Sequence, residues 1–332
     1  MKRRQFIKIA AISVAGTTLP MHYLETAIHS DVILKPNSMI TPNDQFYVLQ
    51  IGEPSHLKAE QWRLAITGLV EKPGTILSYE EITGMKSVET MRTLKCIGDP
   101  IGTEQMSNAM WTGVPLRNIL KKAGVKDEPK MVVFRCADGY HTAIPIADAM
   151  REETLIAYKM NGEPLPLEHG FPVRLLNPGH YGTKNPKWIV NIELAETHLG
   201  YWEKHGWDAI ANIKLATMIG TPGEDLAIKA GTTYTISGAA FDGGHHQGIQ
   251  SVEVSVDGGD TWEEVEIWTS DSPLAWSLWK YRWHVPQKAG RIEIYARAIA
   301  NDGLIQSETG FDAEPVGAVG YHTVVVEVIE RA

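Results

Sequence analysis

The 332-residue chain contains 43% hydrophobic and 21% charged residues, a composition typical of a globular protein long enough for about two domains. A net charge of −9 argues against nucleic acid or an anionic membrane surface as the main partner. Two cysteines cannot form a disulfide scaffold. The sequence also contains no Cys-x-x-Cys-His motif, so we expect no covalently attached c-type haem on this chain.

The N-terminus begins with a basic stretch that includes Arg3 and Arg4, followed by a modest apolar run. This pattern resembles a twin-arginine export signal, so residues 1–30 are predicted to direct the folded protein to the periplasm. An amphipathic cytosolic helix is the alternative. The run is too short and too interrupted to span a bilayer convincingly. No Ala-x-Ala cleavage site is visible, so retention of an uncleaved segment as a membrane anchor stays open.

The stretch around Cys96 presents a single thiol at a defined place. Residues of strand character precede it, and Gly98 and Pro100 follow it, which predicts a strand that runs into a loop. A cysteine at such a junction can offer one thiolate from a rigid base. The alternatives are a buried structural cysteine or a disulfide with Cys136.

A helix is predicted directly after this loop. It begins near Pro115 and ends before Gly124, because proline suits a first helical position and glycine suits the residue after a helix end. The residues that share its apolar face are Leu116, Ile119, Leu120 and Ala123.

The remaining elements are predicted from apolar alternation and turn residues. In chain order they are a strand at 62–70, a short helix start at 77–82, a strand at 131–136 with a turn at 138–139, and strands near 249–256 and 291–298. Regular short strands with turns between them indicate a β-sandwich in the last third of the chain.

Several motifs together resemble one family. Thr93, Leu94, Cys96 and Gly98 match a Thr-Leu-x-Cys-x-Gly turn, and residues 108–116 match Asn-Ala-x-Trp-Thr-Gly-Val-Pro-Leu. Residues 155–174 and the SVDGG-x-x-W hairpin add further matches. These motifs resemble the sulfite-oxidase-type molybdopterin oxidoreductases, over about residue 41 to the C-terminus.

The resemblance implies an α+β fold with two domains. A molybdopterin-binding catalytic domain is expected at residues 31–208, followed by an immunoglobulin-like β-sandwich at 219–332 that could serve as a dimerisation domain.

The resemblance also implies the site residues. The cysteine that matches Cys96 binds molybdenum, and the tyrosine that matches Tyr140 lies beside the metal-oxo group, where a phenol can hydrogen-bond a substrate oxygen. The residues expected to bind the cofactor's pterin and phosphate are His169, Arg174, Lys184 and Lys187. Lys187 is the better candidate of the two lysines because it directly precedes a matched tryptophan. The alternatives are a half-buried structural tyrosine and solvated surface cations.

Two departures from the family pattern concern the substrate. Sulfite-oxidising members carry arginines where this chain has Leu49 and, after the cysteine turn, Asp99 and Pro100. Removing two cations from a buried anion site weakens binding of a dianion unless other cations replace them. The candidate replacements are Arg92, Lys95, His141 and His180.

These features predict an exported molybdenum oxidoreductase that uses one pyranopterin without a nucleotide. It would exchange an oxygen atom and two electrons with a small, sulfur-containing substrate. Sulfite dehydrogenation proper is the alternative, and a non-catalytic secreted binding module with a Cys96–Cys136 disulfide is the alternative of another class. Because the sequence has no haem motif, iron–sulfur cysteine cluster or dinucleotide fingerprint, we expect a separate electron carrier, either a c-type cytochrome or a membrane haem subunit.

Overall fold

The computed structural model describes residues 39–102 and 105–330 of the chain. The predicted twin-arginine segment at residues 1–30 lies outside the described residues and stays a prediction. Strands dominate the described part, with three short α-helices between them. None of its helices has both the length and the apolar character needed to cross a membrane.

The described residues of the first half form ten strands and the three helices. The strands are β1 (Arg63–Gly68), β2 (Thr75–Ser78), β3 (Val88–Lys95), β4 (Met106–Pro115), β5 (Met131–Cys136), β6 (His141–Pro145), β7 (Leu155–Met160), β8 (Glu163–Pro164), β9 (Arg174–Leu176) and β10 (Ile189–Ala195). The helices are α1 (Tyr79–Thr83), α2 (Leu116–Ala123) and α3 (Ile146–Ala149). One sheet has the strand order β2-β1-β10-β5-β6, and a second has the order β3-β4-β7-β8 with β9 paired to β7. The β1–β10 pair is parallel.

The second half forms a β-sandwich, as predicted. Its strands are β11 (Ala216–Thr221), β12 (Ala227–Lys229), β13 (Thr233–Phe241), β14 (Ile249–Ser255), β15 (Glu263–Glu264), β16 (Glu266–Trp268), β17 (Ser277–His284), β18 (Gly290–Ala300) and β19 (His322–Ile329). They form sheets of order β11-β13-β17-β16 and β12-β19-β18-β14-β15. Val252 and Ile294 from one sheet pack with Trp279 from the other in a shared apolar core.

The predicted helix after residue 115 is confirmed as α2. Pro115 precedes its first turn, and Gly124 follows its last residue with a φ of 72°, a conformation that glycine adopts at little cost. The helix start predicted at 77–82 is only partly right. Residues up to Ser78 form β2, and α1 begins after it because the Ser78 hydroxyl caps the backbone N–H of Glu81 at 3.1 Å.

Strand β4 was not predicted, and it determines where the cysteine loop lies. It pairs with the whole of β3, from Val88 opposite Gly113 to Lys95 opposite Met106. A Cβ at Gly113 would lie 2.7 Å from the carbonyl oxygen of Ile156 on β7, so only glycine fits this close approach. The Trp-Thr-Gly-Val-Pro motif therefore has a packing role in the sheet that carries β3.

The two halves meet at an interface that we call the seam. An apolar cluster crosses it, with Ile97 from the first half packed with Phe241 and Trp276 from the second. Thr93 on β3 donates its backbone N–H to the carbonyl oxygen of Leu274 at 2.9 Å, and its hydroxyl accepts from the backbone N–H of Trp276 at 2.8 Å. The strand that leads to the cysteine loop is thus held by both halves.

Candidate active site

A cleft opens where β3 ends, and we call it the main cleft. Its empty volume is about 710 Å³ with its mouth included. The predicted site residues among its lining are Cys96, Tyr140, His169, Arg174 and Lys187. Residues far apart in sequence therefore converge on one concave surface, which is the usual form of a cofactor site.

Cys96 lies immediately after β3 with 5% of its surface exposed. Burial raises the pKa of its thiol to about 12, while the backbone N–H groups of Gly98 and Ile97 act in the opposite direction by hydrogen-bonding the sulfur. Such a thiol loses its proton when a metal cation takes the proton's place. Cys96 and Cys136 are both free thiols, so the alternative of a disulfide between them is wrong.

Trp207 lies near Gly98, in the loop that follows this thiol. A Cβ built on Gly98 would lie 3.5 Å from the Trp207 ring and 3.9 Å from the Cys96 sulfur. Trp207 is not predicted from the sequence, because neither its spacing nor its neighbours relate it to the cysteine loop.

Arg174 supplies a buried cation to the main cleft, with 6% of its surface exposed. Its Nη1 donates to the carbonyl oxygen of His169 at 3.2 Å, and its Nη2 donates to that of Asn185 at 3.3 Å. Within the described residues its Nε has no hydrogen-bond partner. Burial lowers the pKa of Arg174 only to about 10, so it stays charged at neutral pH.

Lys187 adds a second cationic group. Its Nζ donates to the carbonyl oxygen of Glu168 at 2.6 Å and to the side-chain oxygen of Gln50 at 3.2 Å. Burial, and secondarily the charge of Arg174, lowers the pKa of Lys187 to about 7. An anion in the main cleft would favour the protonated form of this lysine.

His169 is a neutral group at this surface, because burial lowers its pKa to about 4. Its Nε2 lies 2.9 Å from the carbonyl oxygen of Asn43. A carbonyl oxygen only accepts, so Nε2 carries the proton and Nδ1 is left as an acceptor.

Tyr140 lines the main cleft as a neutral phenol, because burial raises its pKa well above the ordinary value. Its hydroxyl donates to the carbonyl oxygen of Thr183 at 2.6 Å. A second tyrosine, Tyr47, also lines the main cleft, where burial raises its pKa well above the ordinary value and the charge of Cys96 adds to that shift. Tyr47 is not among the site residues predicted from the sequence.

The structure does not bring Lys184 into the main cleft lining. Its Nζ forms a buried ion pair with Glu203 and also donates to the carbonyl oxygen of Ala143 at 3.2 Å and the hydroxyl of Thr142 at 3.3 Å. A cofactor-binding role for Lys184 stays a prediction, and the ammonium group has three protein partners.

The four candidate replacement cations also lie elsewhere. None of Arg92, Lys95, His141 and His180 occurs among the described residues that line the main cleft. Lys95 pairs with Asp99 at 2.5 Å. The Nδ1 atom of His141 lies 2.9 Å from the Nε2 atom of His198.

The main cleft fits an anionic cofactor with a soft metal. Arg174 and Lys187 provide positive charge, and the unpartnered Nε of Arg174 is a donor that an anionic oxygen would satisfy. Cys96 would supply a sulfur ligand. These are the groups that a molybdopterin with a terminal phosphate needs from a protein.

Two family models match the chain. The "Oxidoreductase molybdopterin binding domain" matches residues 51–202, and the "Mo-co oxidoreductase dimerisation domain" matches residues 207–328. The domain boundaries inferred from the sequence, 31–208 and 219–332, stay predictions.

Curated relatives point to the same group of enzymes. Mouse mitochondrial sulfite oxidase is 30% identical over 340 residues, which cover 87% of this chain and 62% of that protein. The uncharacterized oxidoreductase YuiH of Bacillus subtilis is 36% identical over 174 residues, covering 52% of this chain and 84% of that protein. A barley nitrate reductase is 29% identical over 325 residues, covering 80% of this chain and 36% of that protein.

The chain spans 59% to 63% of the length of the sulfite oxidases from rat, mouse and fruit fly that it matches. The crystal structure of the sulfane dehydrogenase SoxCD from Paracoccus pantotrophus has a TM-score of 0.77 with this chain at 23% identity, covering 98% of this chain and 96% of that one. That likeness confirms the expected fold, a catalytic α+β domain followed by an immunoglobulin-like sandwich. The chain belongs to the sulfite oxidase-type family of molybdopterin-dependent oxidoreductases.

Proposed function

We propose that this chain is an exported molybdenum enzyme that exchanges one oxygen atom and two electrons with a small, sulfur-containing substrate. The observation that carries the proposal is the convergence of the buried Cys96 thiol with Arg174 and Lys187 in one cleft. Bound molybdopterin would supply the oxygen-atom and two-electron chemistry, and the protein supplies binding and orientation.

Each side chain has a distinct part in this proposal. Cys96 would hold the metal as a thiolate. Arg174 Nε and Lys187 Nζ would bind the anionic part of the cofactor, and His169 Nδ1 would accept a hydrogen bond from a donor on the pterin. Tyr140 offers its hydroxyl oxygen as an acceptor to a group in the main cleft, since its proton is engaged by Thr183.

The substrate is proposed to be uncharged rather than dianionic. Leu49, which is 45% exposed, presents an apolar side chain to the main cleft. Asp99 and Lys95 neutralise each other in a buried pair. A small sulfoxide would lose less by desolvation here than the sulfite dianion would.

Electrons are proposed to pass between the main cleft and a separate carrier, a c-type cytochrome or a membrane haem subunit. The net charge of −9 favours a basic docking face on that carrier. We further propose that the chain dimerises through the domain at 207–328, whose family model is described as a dimerisation domain. Residues 1–30 would direct export to the periplasm by the twin-arginine route.

A substrate panel tests this proposal. Cofactor-loaded protein is assayed with dimethyl sulfoxide and methionine sulfoxide against reduced viologen dye, and with sulfite against an electron acceptor. We expect kcat/KM for a sulfoxide to exceed that for sulfite, and Cys96→Ser to be inactive with both. Efficient oxidation of sulfite at micromolar concentration would instead establish sulfite dehydrogenation proper.

A further inference from the structure

A second, smaller cavity lies at the seam, and we call it the seam cavity. It has about 260 Å³ of empty space with its mouth included. Its lining comes from both halves of the chain and includes Arg92, Asn177, His180, Ile213, Phe241 and Leu274. It is separate from the main cleft, although Leu94 and Asn185 line both.

Two buried polar side chains at this cavity have atoms without a hydrogen-bond partner in the described part of the chain. Arg92 is 4% exposed, and within the described residues neither its Nε nor its Nη1 has a hydrogen-bond partner. Asn177 is 3% exposed, and both its amide nitrogen and its amide oxygen are likewise without a partner among those residues. Buried polar atoms in native proteins are nearly always satisfied, so two such side chains at one cavity indicate a missing polar group.

The missing group should carry negative charge. Burial lowers the pKa of Arg92 only to about 10, so the guanidinium is charged at neutral pH. None of the described residues that line the seam cavity is an Asp or a Glu. His180 is no counter-charge either, because an imidazole is neutral or positive, and its ring faces the Asp148 carboxylate at 3.5 Å and the carbonyl oxygen of Ile210 at 2.8 Å. The Glu153 carboxylate acts on Arg92 from outside the residues that line the cavity, and the charge of Arg151 opposes it. A water could fill the space, but it would bring no negative charge to the guanidinium group.

We propose that the seam cavity binds a small oxyanion that carries a proton, for which hydrogen phosphate is the probe. The N–H groups of Arg92 Nε, Arg92 Nη1 and Asn177 Nδ2 would donate to its oxygens. The Oδ1 atom of Asn177 would accept from its O–H group. Sulfate has no such proton at neutral pH and would leave that amide oxygen unpaired.

The bound anion would strengthen the contact between the two halves. Arg92 neighbours Thr93, whose backbone N–H and hydroxyl already bond to Leu274 and Trp276 of the second half. An anion held by β3 beneath this contact would bind the folded chain and not the unfolded one, so it should raise the melting temperature.

The test is titration of cofactor-loaded protein, whose main cleft is filled, with phosphate, sulfate and chloride at matched ionic strength. Isothermal calorimetry should give one phosphate site per chain, and phosphate should raise Tm in a saturable way. Arg92→Gln and Asn177→Asp should each weaken phosphate binding by about tenfold or more, as loss of a charge-assisted hydrogen bond does. Arg282→Gln is the matched control, because Arg282 is exposed on β17.

Equal phosphate affinity in wild type and both variants would overturn the proposal and leave water as the occupant. If sulfate bound as tightly as phosphate, the proposal that the bound anion must carry a proton would be wrong. If Arg92→Gln does not fold, Asn177→Asp decides, since it changes charge with little change in size. The seam cavity does not depend on the proposed function. If the chain takes no cofactor, the same titration is done in an Arg174→Gln, Lys187→Gln background. This removes both cationic groups of the main cleft and still measures the seam cavity.

Discussion

The hydroxyl of Tyr140 donates a 2.6 Å hydrogen bond to the carbonyl oxygen of Thr183, and both residues line the main cleft. The phenol is therefore fixed in position by a backbone group. Its oxygen can still accept a hydrogen bond from a ligand, and its proton can transfer only if the bond to Thr183 breaks.

Tyr140→Phe should lower kcat/KM by about tenfold while the molybdenum content per chain stays at the wild-type level, because the hydrogen bond to Thr183 that fixes this side chain in the wall of the main cleft is lost. Steady-state kinetics and metal analysis on the same preparation check this. An unchanged kcat/KM would assign Tyr140 a purely structural role.

Lys184 and Lys187 should give different phenotypes. Lys187→Gln should lower the cofactor content of folded protein, because it removes a cation that lines the main cleft. Lys184→Gln should lower the free energy of unfolding by about 3 kcal/mol, because it leaves buried Glu203 without its partner.

Molybdenum per folded chain and urea unfolding separate the two effects. Cofactor loss from a fully stable Lys184→Gln protein would show that Lys184 does bind the cofactor, as its sequence position suggested.

Gly113→Ala should destabilise the protein by about 1–3 kcal/mol, because its Cβ would press on the backbone of Ile156 and Ala157. Gly52→Ala is the matched control, since nothing lies within 4 Å of the Cβ position there. Chemical unfolding of both variants measures the difference. Equal stability of the two would mean that β4 and β7 separate at little cost.

Acid should destabilise the protein through His169. Its folded-state pKa is about 4, below the ordinary 6.5, so between these values the unfolded chain binds one more proton than the folded chain. The free energy of unfolding should therefore fall as pH drops through this window, by up to roughly 1.4 kcal/mol per pH unit from this residue.

Unfolding of the cofactor-free protein between pH 7 and pH 4 measures this slope. His169→Gln should show a smaller slope. A slope that is identical in wild type and His169→Gln would show that His169 is protonated in the folded state.

The sequence predicted correctly those elements whose ends are determined by neighbouring residues. Helix α2 was predicted because Pro115 and Gly124 mark its ends and its apolar residues share a face. Strand β4 was missed because its mixed sequence, MSNAMWTGVP, has no alternation, and its pairing with β3 supplies the order instead. Strand pairing joins residues that are distant in sequence, so the hydrophobic periodicity of one segment does not indicate it.

The same distinction between local sequence signals and long-range contacts applies to the candidate site. The motifs predicted Cys96, Tyr140, His169, Arg174 and Lys187 as site residues, and all five line one cleft. The partner of Lys184 could not be predicted, because Glu203 meets it only through the folding of a later loop. Arg92 and Asn177 line one cavity at the seam, and this too results from tertiary structure.

We propose above all that Cys96 is a metal ligand in the main cleft. X-ray absorption at the molybdenum edge, on wild type and on Cys96→Ser with equal metal content, counts the sulfur atoms bound to the metal. Cys136→Ser is the matched control, because it removes the other buried free thiol. We predict one sulfur ligand fewer in Cys96→Ser, with turnover abolished, and the wild-type count in Cys136→Ser. The wild-type sulfur count in metal-loaded Cys96→Ser would contradict the account.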